Sequence, residues 1–304
     1  MLFPKLILLT FVSLLFMQTP DMQPQRYPQK YAANVEMWWR DRPFIDRIQA
    51  AADAGFKYIE FWPWRGKDIE AIASVCNEHD IEVAQFTAWG FVPGMNNPKN
   101  HDAFVREITK SCEIAKQLNC KRMTVVGGND QAGMTQEEMH QNIITALKLV
   151  KPIVEKAGVM LIIEPMNIRV DHKGHCLYGS ENAVRICREV DSPMVKINWD
   201  LYHMQISEGD LCGRLRDGFD QVGYIQVADH PGRHEPGTGE IYYPRVFEEL
   251  ERLGYDGPIG LECSPAIDEE SAIGGLKKMG TIPTCQKKSE AGNMPAPQTT
   301  LPRE

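Results

Sequence analysis

Four apolar runs in the second half of the chain each end on an oxygen-bearing side chain: Leu161-Ile162-Ile163-Glu164, Val195-Lys196-Ile197-Asn198-Trp199-Asp200, Val222-Gly223-Tyr224-Ile225-Gln226 and Ile259-Gly260-Leu261-Glu262. Short apolar runs bounded by turn signals read as buried strands, and helix-length spacers between them make the sheet parallel. The C-terminal ends of parallel strands gather on one face, and α/β enzymes carry their chemistry there. This pattern predicts a divalent cation held above the sheet by Glu164, Asp200, Gln226 and Glu262.

The strand-then-helix rhythm runs through the whole of residues 31–280. Strands are expected at Ala33–Glu36, Lys57–Phe61, Glu82–Phe86, Arg122–Val126 and Val159–Glu164, ahead of the three later ones. Helices are expected at Pro43–Ala54, Lys67–His79, His101–Leu118, Gln136–Lys156, Glu181–Val190, Asp210–Asp217, Tyr243–Leu253 and Glu269–Lys278. Eight such units in 304 residues predict a single-domain α/β protein, a (β/α)8 barrel, rather than an open sheet. The formal charge of −8 argues against a nucleic-acid partner, because phosphate neutralisation needs clustered Lys and Arg, so the expected partner is a small molecule. Eight cysteines without a CxxC pair read mostly as buried thiols.

Both ends of the chain depart from this rhythm. Lys5 precedes the apolar run Leu6 to Met17, and a polar, Pro-bearing stretch follows, so residues 1–30 read as a signal peptide or leader and linker. The run is shorter than a membrane span needs, and no good cleavage site follows it. The expectation is an exported protein, periplasmic or membrane-anchored, with an uncleaved anchor or a cytoplasmic protein as the alternatives. Residues 281–304, rich in Pro, Thr, Gln and Lys, read as a disordered tail.

Glu164 and Glu262 follow uncharged strand residues, where an unpaired carboxylate is costly. With Asp200 and Gln226 they make an all-oxygen set suited to Mg²⁺ or Mn²⁺ rather than to a soft-ligand zinc site. The alternative is four separate hydrogen bonds to loops. His203 is expected in the loop above the barrel, three residues after Asp200, as a donor to a substrate oxygen. The stretch from Asp229 to Glu240 reads as an ordered loop over the site, and Arg233 within it as a clamp for a carboxylate or hydroxyl, or else as a surface partner of Glu235 or Glu240. Trp38, Trp39, Phe61, Trp62, Trp64, Phe86 and Trp89 cluster near the ends of the first three strands. They form either a substrate wall, with Trp62 in it, or a cap on the core. Glu60 and His101 are further substrate-pocket candidates.

These residues resemble the hydroxypyruvate isomerase family of the xylose isomerase-like TIM barrels, a group that also holds ketose 3-epimerases and 2-oxo-tetronate isomerases. The resemblance spans about Tyr31 to Gly275. It rests on Ile163-Glu164-Pro165-Met166-Asn167, Asp200-Leu201-Tyr202-His203, Tyr224-Ile225-Gln226-Val227-Ala228-Asp229, the loop from Pro231 to Ile241, and Gly260-Leu261-Glu262. It implies that Glu164, Asp200, Gln226 and Glu262 hold the metal, that Glu164 and Glu262 are also the acid/base pair, and that His203 and Arg233 handle substrate oxygens. The implied reaction is an aldose-ketose type isomerisation such as hydroxypyruvate to tartronate semialdehyde, with no redox cofactor. Gln226 stands where related epimerases carry histidine. The leader and the tryptophan-rich Phe61-Trp62-Pro63-Trp64 depart from the family pattern, which leaves a larger sugar or keto-sugar open as substrate. The alternatives are a ketose 3-epimerase or 2-oxo-tetronate isomerase on the same site and a non-enzymatic sugar-binding barrel. A nuclease of the same superfamily would want more histidine ligands and a basic surface. Oligomeric state stays open, a homo-oligomer included.

Overall fold

The computed structural model describes residues 30–279, so the leader and tail expectations fall outside the described residues. Eight parallel strands close on themselves in sequence order: β1 (Tyr31–Asn34), β2 (Tyr58–Phe61), β3 (Glu82–Trp89), β4 (Arg122–Val126), β5 (Met160–Glu164), β6 (Val195–Asp200), β7 (Val222–Val227) and β8 (Ile259–Leu261). Closure comes from β8 pairing with β1 through Tyr31↔Ile259, Ala32↔Gly260 and Ala33↔Leu261. The intervening helices are α1 (Phe44–Asp53), α2 (Ile69–Glu78), α3 (His101–Gln117), α4 (Gln136–Ala157), α5 (Ser180–Val190), α6 (Leu201–Ser207), α7 (Leu211–Gly218), α8 (Tyr243–Leu253) and α9 (Glu269–Met279). The chain is therefore a (β/α)8 TIM barrel, as the strand-helix rhythm predicts.

Local chemistry sets several boundaries. β1 ends at Asn34, two residues earlier than expected, because the N–H groups of Met37 and Trp38 both donate back to the Asn34 carbonyl and turn the chain. Thr135 and Glu138 form a reciprocal capping box at the start of α4, and Gly158 ends that helix in the left-handed region at φ 67°. All seven described cysteines are free thiols, and only Cys212 among them is not buried.

Alternation along the strands sorts side chains into two cores. Ile59, Ile163, Ile197, Ile225 and Leu261 join the large cluster shared with the helices. Ala32, Ala84, Ile162 and Tyr224 form a separate small cluster. A buried polar layer accompanies it. Glu60 Oε1 accepts from Asn34 Nδ2 (3.0 Å) and Gln226 Nε2 (2.9 Å), while Oε2 accepts from the Tyr224 hydroxyl (2.8 Å) and Gln85 Nε2 (3.3 Å). Thr124 donates to Gln85 at 2.7 Å and Asn198 to Gln226 at 2.6 Å, which extends the network to six strands.

Gly260 makes room for that layer. A Cβ there would stand 2.8 Å from Gln226 Cγ and closer still to Glu60 Oε2. Both neighbours are held by the hydrogen bonds above, so neither yields freely. Gly260→Ala is expected to destabilise the fold by about 1–3 kcal/mol, the usual range for overpacking a closed core. The midpoint of denaturant unfolding reads this out, and an unchanged midpoint would show that the layer has slack.

Candidate active site at the barrel mouth

Strand termination brings the carboxylates together. Glu164 is the last residue of β5, Asp200 the last of β6, and Glu262 directly follows β8. Ligand atoms of Glu164, Asp200, His203 and Glu262, all buried, lie within 4.8 Å of one another. His203 is not in a loop as expected but in α6, fully buried. The cause is Asp200, whose Oδ1 accepts the Tyr202 N–H at 2.8 Å and caps a helix that begins directly at the strand end. Its other oxygen, Oδ2, is buried with no hydrogen-bond partner. His203 Nε2, also without one, stands 3.7 Å from Glu164 Oε1 and 3.6 Å from Asp200 Oδ2.

Arg233 supplies the counter-charge. Its Nη2 donates to Glu262 Oε2 at 2.6 Å and lies 3.8 Å from Asp200 Oδ2, so it pairs within the site and not with Glu235 or Glu240. The loop that presents it is organised by Asp229. That carboxylate accepts the N–H groups of His230, Gly237 and Ile241, and the Asp229 carbonyl accepts from Arg233 N. Arg233 itself takes a left-handed backbone, φ 55°, and is tied to the segment after β8 by Ser264 N donating to its carbonyl at 3.1 Å.

Glu262 is held from the other side by Trp62, whose indole Nε1 donates to Oε1 at 2.8 Å. The Trp62 backbone is itself clamped: its N–H donates to Glu36 at 3.2 Å and its carbonyl accepts from Lys67, which pairs with the same glutamate. The tryptophan-rich loop therefore does more than cap the core.

Above these groups opens a cavity of about 420 Å³, whose lining includes the polar Glu164, Glu262, His203, His172 and Arg233 and the apolar or aromatic Trp62, Phe91, Val92, Val126 and Met166. Two expected pocket residues are absent from its lining. Glu60 is spent in the buried polar layer, where four donors consume both its oxygens. His101, at the start of α3, bonds through Nε2 to the Met95 carbonyl at 3.1 Å and anchors the loop after β3. Gln226 pairs in register with Asp200 on the adjoining strand, and its amide is engaged by Glu60 and Asn198. Residues that the sequence reading did not single out include His172, which stacks on Phe91 at 4.8 Å, and Asn167, whose Nδ2 contacts His203 Nδ1 at 2.7 Å. Their position in the segment directly after Glu164, with Asn167, Asp171 and His172 set among mainly apolar residues, was the available signal for them.

The electrostatics are those of a crowded anion site. Burial, then Glu262 and Asp200, push the Glu164 carboxyl well above the usual range; burial, then Glu262, do the same to Asp200. Burial, and after it Glu262, raise Glu60 from 4.5 to about 7. Burial and Arg233 push the His203 imidazole well below its ordinary value. Burial works against the Arg233 guanidinium, but Glu262, Asp200 and Glu164 together keep it firmly charged. With the three carboxylates ionised, Arg233 leaves two negative charges unbalanced. A divalent cation matches that deficit, and the partnerless Asp200 Oδ2 and the oxygen-rich donor set fit one.

Fold and site together define a xylose isomerase-like TIM barrel, and the chain belongs to that family, whose model matches residues 48–279. Among curated relatives, it is 30% identical over 250 residues to hydroxypyruvate isomerase of Escherichia coli strain K12, covering 80% of this chain and 96% of that one. It is 33% identical over 256 residues to 2-oxo-tetronate isomerase of Pectobacterium atrosepticum, covering 81% and 95%. A crystal structure described as an AP endonuclease, family 2, from Brucella melitensis superposes with a TM-score of 0.77 at 27% identity, over 82% of this chain and 98% of that one. Among the described residues no helix is long and apolar enough to cross a membrane.

The raised carboxyls set a pH dependence. A carboxyl whose folded pKa lies above its unfolded value stabilises the fold fully below the unfolded value, and that contribution is lost as pH rises through the folded one. For Glu60 the window runs from 4.5 to about 7, and Glu164 and Asp200 act in the same direction. Chelator-treated protein is expected to melt at lower temperature at pH 8 than at pH 5, and Mg²⁺ or Mn²⁺ to raise the melting temperature more at pH 8. Thermal unfolding at both pH values checks this, and a cation effect equal at the two would count against a shared anionic site.

Proposed function

We propose that the protein is a metal-assisted aldose-ketose type isomerase acting on a small keto acid or keto-sugar, of the hydroxypyruvate and 2-oxo-tetronate isomerase kind. The observation that carries this reading is the convergence of Glu164, Asp200, His203 and Glu262 at the barrel mouth beside Arg233, with Glu164, Glu262, His203 and Arg233 lining one cavity. The identity to two curated isomerases over nearly their whole length supports it.

Glu164, Asp200 and Glu262 would hold Mg²⁺ or Mn²⁺, with Gln226 as a neutral fourth donor through the lone pair that Asn198 leaves free on its Oε1. When bound, the cation supplies Lewis-acid stabilisation of negative charge on substrate oxygens. The chain's own groups move the protons. Glu262, oriented at Oε2 by Arg233 and at Oε1 by Trp62, removes the proton from the carbon beside the carbonyl. The C–H electron pair forms the carbon–carbon double bond of an enediolate, and the carbonyl electrons move onto oxygen. Glu164, across the cluster, delivers a proton to the former carbonyl carbon; the neighbouring hydroxyl oxygen becomes the new carbonyl as its proton passes to the former carbonyl oxygen, which becomes the new hydroxyl. The two carboxyls then exchange protons with solvent through the open cavity. His203 donates to the substrate oxygen on which charge develops.

The cavity volume favours a substrate larger than a three-carbon acid, since about 420 Å³ lies well within the range of pockets for larger ligands, roughly 300–1,000 Å³. This makes 2-oxo-tetronates and keto-sugars the first compounds to try after hydroxypyruvate. An acidic pocket in a chain of charge −8 does not favour a DNA substrate.

The test is solvent deuterium exchange followed by NMR, with hydroxypyruvate, 2-oxo-tetronates and a panel of ketoses, on Mg²⁺- or Mn²⁺-supplied protein. Glu262→Gln is expected to abolish exchange while substrate binding persists, and Glu164→Gln to abolish product formation. Activity that survives chelation and Glu164→Ala would sink the mechanism. Ligand binding by the wild type without any turnover, little changed in Glu262→Gln, would point to a binding protein instead.

Trp62→Phe keeps the ring on the cavity wall and deletes its N–H. One hydrogen bond to a charged group contributes about 1.5–3 kcal/mol, so a fall in kcat of about 10- to 100-fold is expected, with KM changed much less. Unchanged kcat would limit Trp62 to lining the pocket.

A further inference from the structure

We infer that Asn167 sets the tautomer of His203, keeping Nδ1 bare and Nε2 protonated, so that His203 faces the carboxylate cluster as a hydrogen-bond donor and not as a metal ligand. The catalytic meaning of this assignment rests on the isomerase reading above; the assignment itself does not. His203 Nε2 lies among atoms that are all within 4.8 Å of one another, so geometry alone would allow it to serve as a fourth ligand beside Glu164, Asp200 and Glu262.

The decision is made on the far side of the ring. Asn167 follows Glu164 by three residues, in the loop leaving β5. Its Oδ1 accepts the backbone N–H of Val170 at 3.0 Å and of Asp171 at 3.1 Å. Backbone N–H groups can only donate, so the oxygen end of the amide is identified and a flipped amide would set donor against donor. Nδ2 is thereby directed at Asp171 Oδ2 (2.8 Å) and His203 Nδ1 (2.7 Å). An ionised carboxylate accepts only, which takes one amide hydrogen; the other points at Nδ1. Nδ1 must therefore accept and cannot carry a hydrogen.

Two states of the ring are excluded by this contact. The imidazolium carries hydrogens on both nitrogens, and the other neutral tautomer carries its hydrogen on Nδ1, so each would face the amide N–H head-on. What remains is the ring protonated at Nε2. A protonated ring nitrogen has no lone pair for a cation. It has a hydrogen to offer, and Nε2 is buried with no partner in the protein at hydrogen-bond distance. A substrate oxygen entering the cavity that His203 lines would complete that bond. The end of β5 and the loop that leaves it thus place both a carboxylate and the group that orients the imidazole beside it.

Asn167 is a positioning residue in this scheme, because it touches His203 and acts through it. Asn167→Asp separates its two duties. The carboxylate still accepts from Val170 and Asp171 N–H, which preserves the turn, but it can no longer donate to Nδ1.

Two-bond ¹H–¹⁵N correlation spectra of protein labelled at the histidine ring nitrogens read the tautomer directly, with the His203 signals assigned by their absence in His203→Gln. The wild-type protein is expected to show Nδ1 at the shift of an unprotonated nitrogen and Nε2 at that of a protonated one, in chelator-treated and Mg²⁺-loaded samples alike. A proton on Nδ1 in the wild type, or movement of Nε2 to an unprotonated, ligated shift on adding Mg²⁺ or Zn²⁺, would overturn the inference. In Asn167→Asp the Nδ1 signal is expected to move to the protonated position, with kcat lowered by about 10²-fold. An unmoved Nδ1 signal in that variant overturns the assignment without reference to activity. The predicted wild-type spectrum in a protein that turns over no keto acid or keto-sugar would instead retire the isomerase reading and leave the tautomer standing.

Discussion

Three carboxylates share the mouth of this barrel with one guanidinium, and the loops after β2 and β7 are arranged so as to make that tolerable. Like charges at such separations, away from water, repel strongly and lose solvation at the same time. Arg233 offsets part of this by pairing with Glu262 and lying close to Asp200. Holding it there requires a loop with a left-handed residue at its tip, and that loop is built around the Asp229 carboxylate and its three backbone donors. The remaining charge deficit is one that a divalent cation would balance, and burial together with the neighbouring Glu262 displaces the Glu164 and Asp200 carboxyls upward from their ordinary range.

The barrel interior is unusual in the same sense. Many (β/α)8 interiors are filled by branched apolar side chains. Here a small cluster of Ala32, Ala84, Ile162 and Tyr224 is accompanied by a network centred on Glu60, with Asn34, Gln85, Gln226 and Tyr224 as its donors. A network in which the central carboxylate has both oxygens partnered is rigid, because its neighbours specify the rotamer. It connects six strands and grips Gln226, so the residue in register with Asp200 is oriented from within the protein before any ligand arrives. Glycine at 260 is the steric condition for it.

The site is also asymmetric in how its two glutamates are held. Glu262 accepts from Trp62 and Arg233 at its two oxygens, whereas the nearest polar atom of His203 is 3.7 Å from Glu164. This difference arises from loops that leave three different strands. It gives two chemically identical side chains distinct environments, which is the usual route by which one fold assigns different proton-transfer duties to a pair of acids.

The barrel and the carboxylate cluster were legible in the sequence because both depend on local rules. Strand and helix periodicities, glycine stops and capping residues act over a few positions, and an oxygen side chain at a parallel strand's C-terminal end has only one face on which to emerge. Glu164, Asp200 and Glu262 meet for that reason alone. What tertiary structure decided are contacts between residues far apart in the chain. Glu60 reads like another strand residue near the site, yet closure of the barrel points it across to Tyr224, 164 positions away, and removes it from the pocket. His203 reads as a loop residue, yet it is buried and meets Asn167, 36 positions away. Trp62 reads as bulk until the β2 loop brings its N–H to Glu262, 200 positions away. Asn167 acquires a role only when the loop after β5 folds against α6. Periodicity and spacing state which face a side chain takes; hydrogen-bond partners between distant strands, and with them the protonation and orientation of the groups at the site, exist only once the barrel has closed.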